Sequence, residues 1–141
     1  MIEDEFIGTW KLGYWKNTDG KGVVSYPFGE KAQGFISYTP DGYIFAVLSK
    51  DGRQPCNSND PHGVSETEKI SSYDSYFSYC GKFEIKEQSV IHHIHSCSFP
   101  NWNGTDQLRN YTFNNNTLLL VTQPFLIDGS VQISELFWEK E

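Results

Sequence analysis

Residues 79–113 read YCGKFEIKEQSVIHHIHSCSFPNWNGTDQLRNYTF, and their strand patterns mix polar with apolar side chains on one face. Neighbouring residues of a strand point to opposite faces of its sheet. The shared face has these members: Phe83, Ile85, Val90, His92, Ile94, Gln107, Arg109 and Tyr111. Polar groups of a half-exposed sheet normally face water. Their place among apolar residues therefore predicts the wall of a chamber that holds a ligand.

A tight hairpin is predicted within this stretch, with its tip at residues 87–88. This register places Phe83 opposite His92 across the two strands. A single bulge between them would turn His92 outward and His93 inward.

Short alternating runs separated by turn residues continue along the whole chain. Turn signals of Gly, Pro, Asp and Asn stand at residues 19–20, 40–42, 114–116 and 128–129. Roughly eight such strands predict an all-β fold, an antiparallel up-and-down barrel, because closure removes exposed sheet edges. A barrel of that size is filled by side chains or holds one small ligand. Residues 1–141 are expected to form one such domain.

One helix is predicted near an opening of the barrel. Ser65 followed by Glu68 makes a capping-box pattern at its start. Ile70, Tyr73 and Phe77 then recur at helical spacing, which predicts an apolar stripe packed against the barrel mouth.

The net charge of −7 comes without any cluster of Lys or Arg. This argues against nucleic acid and against an anionic membrane surface as partners. No run approaches the roughly 20 apolar residues of a membrane-spanning helix, and the acidic N-terminus lacks the features of a signal peptide. A cytoplasmic location is expected. Cys56, Cys80 and Cys97 are scattered without a CxxC pair, so they are expected to be reduced thiols rather than a zinc or redox site.

Several segments together resemble one known family. They are GTWKL, YPFGEKAQGFISYTPDGYIFAVL, YFSYCGKFEI, VIHHIHSCSFPNWNGTDQLR and ELFWEK. In order and spacing the chain resembles the bacterial and fungal lipocalin-like domain family, small calycin-type barrels with GxW near the N-terminus. The resemblance implies a small cytosolic barrel with a helix near one opening. Some relatives sit among enzymes of natural-product biosynthesis.

The GxW residues are Gly8 and Trp10. Gly8 allows a close approach by backbone or a ring, and Trp10 on the apolar face is predicted to plug the closed end. Extracellular lipocalins usually stack a basic residue on this tryptophan, and Lys140 is the only nearby cation here.

Three histidines lie within four residues. His93 and His95 share a face with Lys82 and Glu84, and without a third ligand they are interpreted as a solvated pair; no metal is expected. His92 shares its face with apolar residues. Two interpretations stay open for it: a satisfied core histidine, or one that contacts a ligand or transfers protons.

Arg109 indicates a ligand site more specifically than His92 does. An arginine inside a barrel stays charged and needs a partner, yet no Asp or Glu lies on its strand face. It could bond backbone carbonyls at the rim, or it could anchor an anion or carbonyl through its planar donor fork. The Arg109-x-Tyr111 pair also resembles the carboxylate-gripping arrangement of intracellular lipid-binding barrels.

Loop aromatics complete the candidate site. Phe99 and Trp102 lie in a rim segment that could cap the chamber or seal the barrel, and residues 26–29 could form a lid. Tyr38 and Tyr43 flank a turn and could add hydroxyls to the interior. The predicted ligand-binding residues are His92, Gln107, Arg109, Tyr111, Tyr38, Tyr43, Phe83 and Trp102.

Two classes of function remain. The first is a binding protein that holds a small hydrophobic or amphipathic molecule, mainly apolar with a carboxylate or carbonyl end. The second is a cofactor-independent isomerase, cyclase or dehydratase, with His92 as acid–base and Arg109 as stabiliser of negative charge. No nucleophile motif, phosphate loop or cofactor fingerprint is present, so no cofactor is expected, and no separate feature supports haem.

Overall fold

The computed structural model describes residues 2–141, and within them ten antiparallel strands form one sheet whose first long strand also pairs with the last. The strands are β1 Gly8–Asp19, β2 Val24–Ser25, β3 Gln33–Tyr38, β4 Tyr43–Ser49, β5 Tyr76–Ile85, β6 Ser89–Cys97, β7 Asp106–Asn114, β8 Thr117–Thr122, β9 Phe125–Ile127 and β10 Ser130–Lys140. The helices are α1 Ile2–Phe6, α2 Glu66–Asp74 and a 3₁₀ turn Pro100–Trp102.

Neighbouring strands follow the order β2-β1-β3-β4-β5-β6-β7-β8-β10-β9, and the β1–β10 pairing closes the ring. Eight strands of the described chain make the barrel wall, while β2 and β9 are short additions that pair only with β1 and β10. The predicted antiparallel barrel is confirmed. No helix within residues 2–141 has the length and apolar character needed to cross a bilayer.

The hairpin of β5 and β6 has the predicted register. Phe83 pairs with His92, and the one register shift of this hairpin falls between Cys80 and Gly81 instead. Gly81 is required there because a Cβ atom would lie 1.8 Å from the carbonyl oxygen of His93. Strand parity beyond the bulge is therefore intact: His92 is fully buried, and His93 points outward.

The closed end of the barrel is plugged from the N-terminus. Phe6 is fully buried, and its ring makes edge contacts with Tyr38, Tyr111 and Phe113 at centroid distances of 4.8–5.0 Å. The indole nitrogen of Trp10 donates to the carbonyl of Phe6 at 2.9 Å. Phe6 is the last residue of α1, and the first strand begins only at Gly8.

Gly8 and Lys140 fix the turn from α1 into β1. Gly8 has φ of +128°, a conformation that side-chain-bearing residues rarely adopt. The Lys140 ammonium donates to the carbonyl of Ile7 and lies 4.5 Å from the centre of the Trp10 ring. Lys140 therefore stacks on the first-strand tryptophan from the end of the last strand, which buries part of the lysine stem and ties the two chain ends together.

Helix α2 begins as predicted but does not carry a buried stripe. Ser65 and Glu68 form the reciprocal capping box. Ile70 and Tyr73 are 63% and 53% exposed, however, and Phe77 belongs to β5, where it pairs with Leu48 of β4. The predicted helical stripe is wrong because strand pairing after Asp74 outcompetes a pattern that spans only two helical turns.

Candidate functional site

A cavity of about 470 Å³ occupies the half of the barrel opposite the plug. Its walls are mainly apolar and include Trp15, Phe28, Leu48, Leu120, Leu136 and Trp138. Three large hydrophobic lining residues are exposed: Tyr73 of α2, Phe99 of the rim segment and Leu126 of β9. These residues mark the opening through which a small molecule would enter.

Arg109 is the charged side chain in this wall with the least exposure, 7%. Its guanidinium donates to the carbonyl of Leu108 at 3.2 Å and lies 5.7 Å from the centre of the Trp102 ring. No Asp or Glu within residues 2–141 forms an ion pair with it. The guanidinium is therefore stabilised by the carbonyl of Leu108 and the ring face of Trp102. Its remaining N–H donors are available towards the cavity.

His92 lies beyond the cavity wall, between two tyrosines. Its Nε2 is 2.7 Å from the hydroxyl of Tyr38, and its Nδ1 is 2.7 Å from the hydroxyl of Tyr79. Tyr79 lines the cavity, whereas Tyr38 is 1% exposed and packs beneath Phe6 and Phe83. A continuous row of polar groups thus runs from the plug to the cavity.

Burial sets the protonation states of this row. It holds the pKa of His92 well below its usual value of 6.5, with the nearby Arg109 charge acting in the same direction. Burial also raises the pKa of Tyr38 and of Tyr79, and the Arg109 charge opposes that rise for both. At neutral pH the histidine and both phenols are neutral, and Arg109 carries the charge of the group.

The low pKa of His92 gives a testable pH dependence of stability. The unfolded chain binds a proton at His92 below about pH 6.5 and the folded chain does not, so stability falls as pH falls through this value, by up to about 1.4 kcal/mol per pH unit. Urea unfolding between pH 5 and 6.5 should show this slope in the wild type and a smaller one in His92→Gln. Equal slopes in the two proteins would contradict the assignment.

His93 supplies an internal comparison on the outer surface. Its Nδ1 lies 2.7 Å from Asp106 and its Nε2 lies 3.1 Å from Glu84, and the Asp106 hydrogen bond raises the pKa of His93. A raised folded pKa contributes stability that is present below the unfolded value of about 6.5 and is lost as pH rises through the folded value. His92 therefore changes the stability of the protein below about pH 6.5, whereas His93 changes it above that value.

The structure brings together only some of the predicted site residues. Arg109, Gln107 and Trp102 line the cavity. His92 and Tyr38 form the buried row behind it, and Phe83 and Tyr111 pack around the plug with Tyr38 and Phe6. Tyr43 is 39% exposed on the outer surface, 5.8 Å from Lys82, because it alternates with the buried Ile44.

Tyr79 is the residue that the sequence analysis missed. It connects His92 to the cavity, although it was not named as a candidate. Its signal was present in the pattern, since residues 77, 79, 81 and 83 share a face of β5. Assignment of Phe77 to the helical stripe hid that alternation.

Both suggested rim segments contribute rings to the cavity. Phe99 and Trp102 line it, and Trp102 makes an edge contact with Phe77 at 5.2 Å. Phe28, from the loop between β2 and β3, also lines it and packs edge-on against Trp15 at 4.9 Å. Within residues 2–141, no three His, Cys, Asp or Glu side chains converge in a way that could hold a metal ion.

Comparison with known proteins places these features in context. The family model described as the lipocalin-like domain matches residues 7–141. A curated protein of Aspergillus oryzae, named 4'-hydroxy-3'-methoxypropiophenone carrier protein ppsC, is 35% identical over 74 residues, which cover 46% of this chain and 67% of that protein.

Proposed function

Since this chain belongs to the lipocalin-like domain family, we propose that its cavity binds one small, mainly apolar molecule bearing a carboxylate or carbonyl, with Arg109 at the polar end. The volume of about 470 Å³ falls within the range of roughly 300–1,000 Å³ that is common for small-molecule pockets. The lining is aromatic and aliphatic, which favours a ligand with a flat or ring-containing apolar body.

The observation that carries the proposal is the environment of Arg109. A buried guanidinium without a carboxylate partner is costly unless other groups satisfy its donors. Arg109 has one carbonyl, the Tyr79 hydroxyl and an aromatic face near it, and it borders an open cavity. A ligand oxygen would complete its hydrogen bonding with a charge-assisted bond.

The named relative supports the same class of ligand. Its name describes a carrier of an aromatic ketone, a compound whose one carbonyl stands on a phenyl ring that also bears a hydroxyl and a methoxy group. We extend this class to the present chain because an aromatic ring fits the lining and a carbonyl oxygen fits Arg109. Carriage of such a ketone is the form of the proposal that we test first.

The alternative of a proton-transfer enzyme requires His92 to reach a substrate. Both ring nitrogens of His92 are occupied by tyrosine hydroxyls, and Tyr79 stands between the ring and the cavity. The low pKa also leaves a weak base. This geometry supports the binding function over catalysis by His92.

Substitution of Arg109 by lysine tests the proposal. The probe is 4'-hydroxy-3'-methoxypropiophenone, and its binding is followed by quenching of tryptophan fluorescence, since Trp15, Trp102 and Trp138 line the cavity. Lysine keeps the charge but loses the planar fork, so we expect affinity to fall about 10-fold in Arg109→Lys. Unchanged affinity would place the polar end of the ligand away from Arg109.

A further inference from the structure

The hydroxyl hydrogen of Tyr38 has one acceptor available. Tyr38 is 1% exposed, and within residues 2–141 its hydroxyl is bonded only to Nε2 of His92, at 2.7 Å. The surrounding rings of Phe6 and Phe83 offer no oxygen or nitrogen. If His92 donated from Nε2, the Tyr38 hydrogen would be buried without an acceptor, which costs about 1–3 kcal/mol. Tyr38 is therefore the donor and Nε2 the acceptor.

This direction determines the tautomer of His92. A neutral imidazole carries one hydrogen, so a ring that accepts at Nε2 must donate from Nδ1. The partner of Nδ1 is the Tyr79 hydroxyl, at 2.7 Å. The Tyr79 oxygen thus receives a hydrogen bond from His92.

Arg109 lies near Tyr79, and both side chains line the cavity. The Arg109 guanidinium is close enough to lower the pKa of Tyr79 by its charge and by hydrogen bonding, against the larger effect of burial. Because an arginine can only donate, Arg109 cannot accept the hydroxyl hydrogen of Tyr79, and His92, which donates from Nδ1, cannot accept it either. The Tyr79 hydrogen is left without a partner among these groups, on a side chain that lines the cavity.

We infer that Tyr79 donates its hydroxyl hydrogen to the ligand. In the hydrogen-bond relay, Tyr38 donates to His92 and His92 donates to Tyr79. This relay makes the polar end of the cavity selective for an oxygen that only accepts hydrogen bonds. This inference rests on the proposed function and narrows it. Ketones, aldehydes and ionised carboxylates satisfy Tyr79 and Arg109 together with one oxygen. An alcohol carries a hydrogen of its own, so at least one donor at this end of the cavity is left without an acceptor when an alcohol binds.

The first test measures the tautomer in the wild-type protein. Long-range ¹H–¹⁵N NMR correlation separates a protonated ring nitrogen from an unprotonated one. We expect His92 to carry its hydrogen on Nδ1 at neutral pH. A hydrogen on Nε2 would reverse the relay, engage the Tyr79 hydrogen with His92 and overturn the inference, without any dependence on how a variant folds.

The second test compares the ketone probe with the alcohol obtained by reducing its carbonyl. We expect the wild type to bind the ketone about 10-fold more tightly, which is the worth of one hydrogen bond. Tyr79→Phe should reduce this preference to about 3-fold or less. Tyr14→Phe is the matched control, because Tyr14 stacks on Phe137 outside the cavity, and it should keep the wild-type preference.

The outcomes separate the two claims. A preference that survives in Tyr79→Phe overturns the role of Tyr79, while the proposed function stands if Arg109→Lys still weakens binding of the ketone. Failure of the wild type to bind either compound contradicts the proposed function for ketones. It also contradicts the inferred selectivity, which rests on that function.

Discussion

Replacement of Trp10 by alanine should lower the free energy of unfolding by about 3–5 kcal/mol and leave ligand binding by the folded fraction intact. Trp10 is 2% exposed, and it contacts Phe113, the carbonyl of Phe6 and the ammonium of Lys140. It does not line the cavity. Its removal therefore leaves a void at the closed end and frees the hydrogen-bond acceptor of α1, while the ligand-facing wall is untouched.

Denaturant unfolding monitored by circular dichroism measures the loss of stability from Trp10→Ala. Phe45→Ala is the control, because that ring is 48% exposed on the outer face of β4, and it should change stability by no more than about 0.5 kcal/mol. A Trp10→Ala protein that is as stable as the wild type but no longer binds the probe would show that Trp10 belongs to the site rather than to the plug.

Replacement of Arg109 by methionine should separate stability from binding. Removal of a buried charge that lacks an ionic partner is expected to leave the ligand-free protein as stable as the wild type, or to make it up to a few kcal/mol more stable. Affinity for the ketone should fall by about 10- to 100-fold, because the charge-assisted hydrogen bond is lost. If Arg109 instead stabilised the fold, Arg109→Met would lower the free energy of unfolding.

Thermal unfolding with and without probe gives both quantities for Arg109→Met. Arg53→Met is the matched control, since it removes the same charge from an exposed arginine whose guanidinium bonds Ser75. It should leave affinity within about 2-fold of the wild type. Destabilisation by Arg109→Met with unchanged affinity would mean that this arginine holds the barrel together and has no role in binding.

The barrel, the helix cap and the inward facing of His92 were all predictable from the sequence, because each depends on a local rule. Alternation sets the faces of a strand, and the Ser65–Glu68 pair satisfies the free amides at a helix start. The Phe83–His92 register followed from the hairpin tip alone. Its only nearby irregularity, at Gly81, lies outside the segment on which the prediction depended.

Features that depend on distant parts of the chain could not be predicted from local patterns. Gly13 causes a register shift in β1, so that the inward residues change from Trp10 and Leu12 to Trp15 and Asn17. This shift accommodates Phe137 of β10, whose ring lies 2.9 Å from where a Cβ at Gly13 would stand. A pattern read within β1 carries no information about that partner.

The positions of the candidate site residues were predictable only in part, for the same reason. Parity identified Arg109 and Gln107 as inward-facing, and both line the cavity. Parity does not distinguish the open half of a barrel from its plugged half, so Tyr111 and Phe83 were assigned to the same chamber as Arg109. Only the course of α1, which carries Phe6 into the barrel, separates the two halves.

A crystal structure of the protein with 4'-hydroxy-3'-methoxypropiophenone would show directly whether Arg109 and Tyr79 bind the ketone oxygen. We expect the ring to lie among the apolar walls, with the ketone oxygen within about 3.2 Å of both an Arg109 nitrogen and the Tyr79 hydroxyl. A ligand bound with its ketone at the opening, near Tyr73 and Phe99 and away from Arg109, would contradict this expectation.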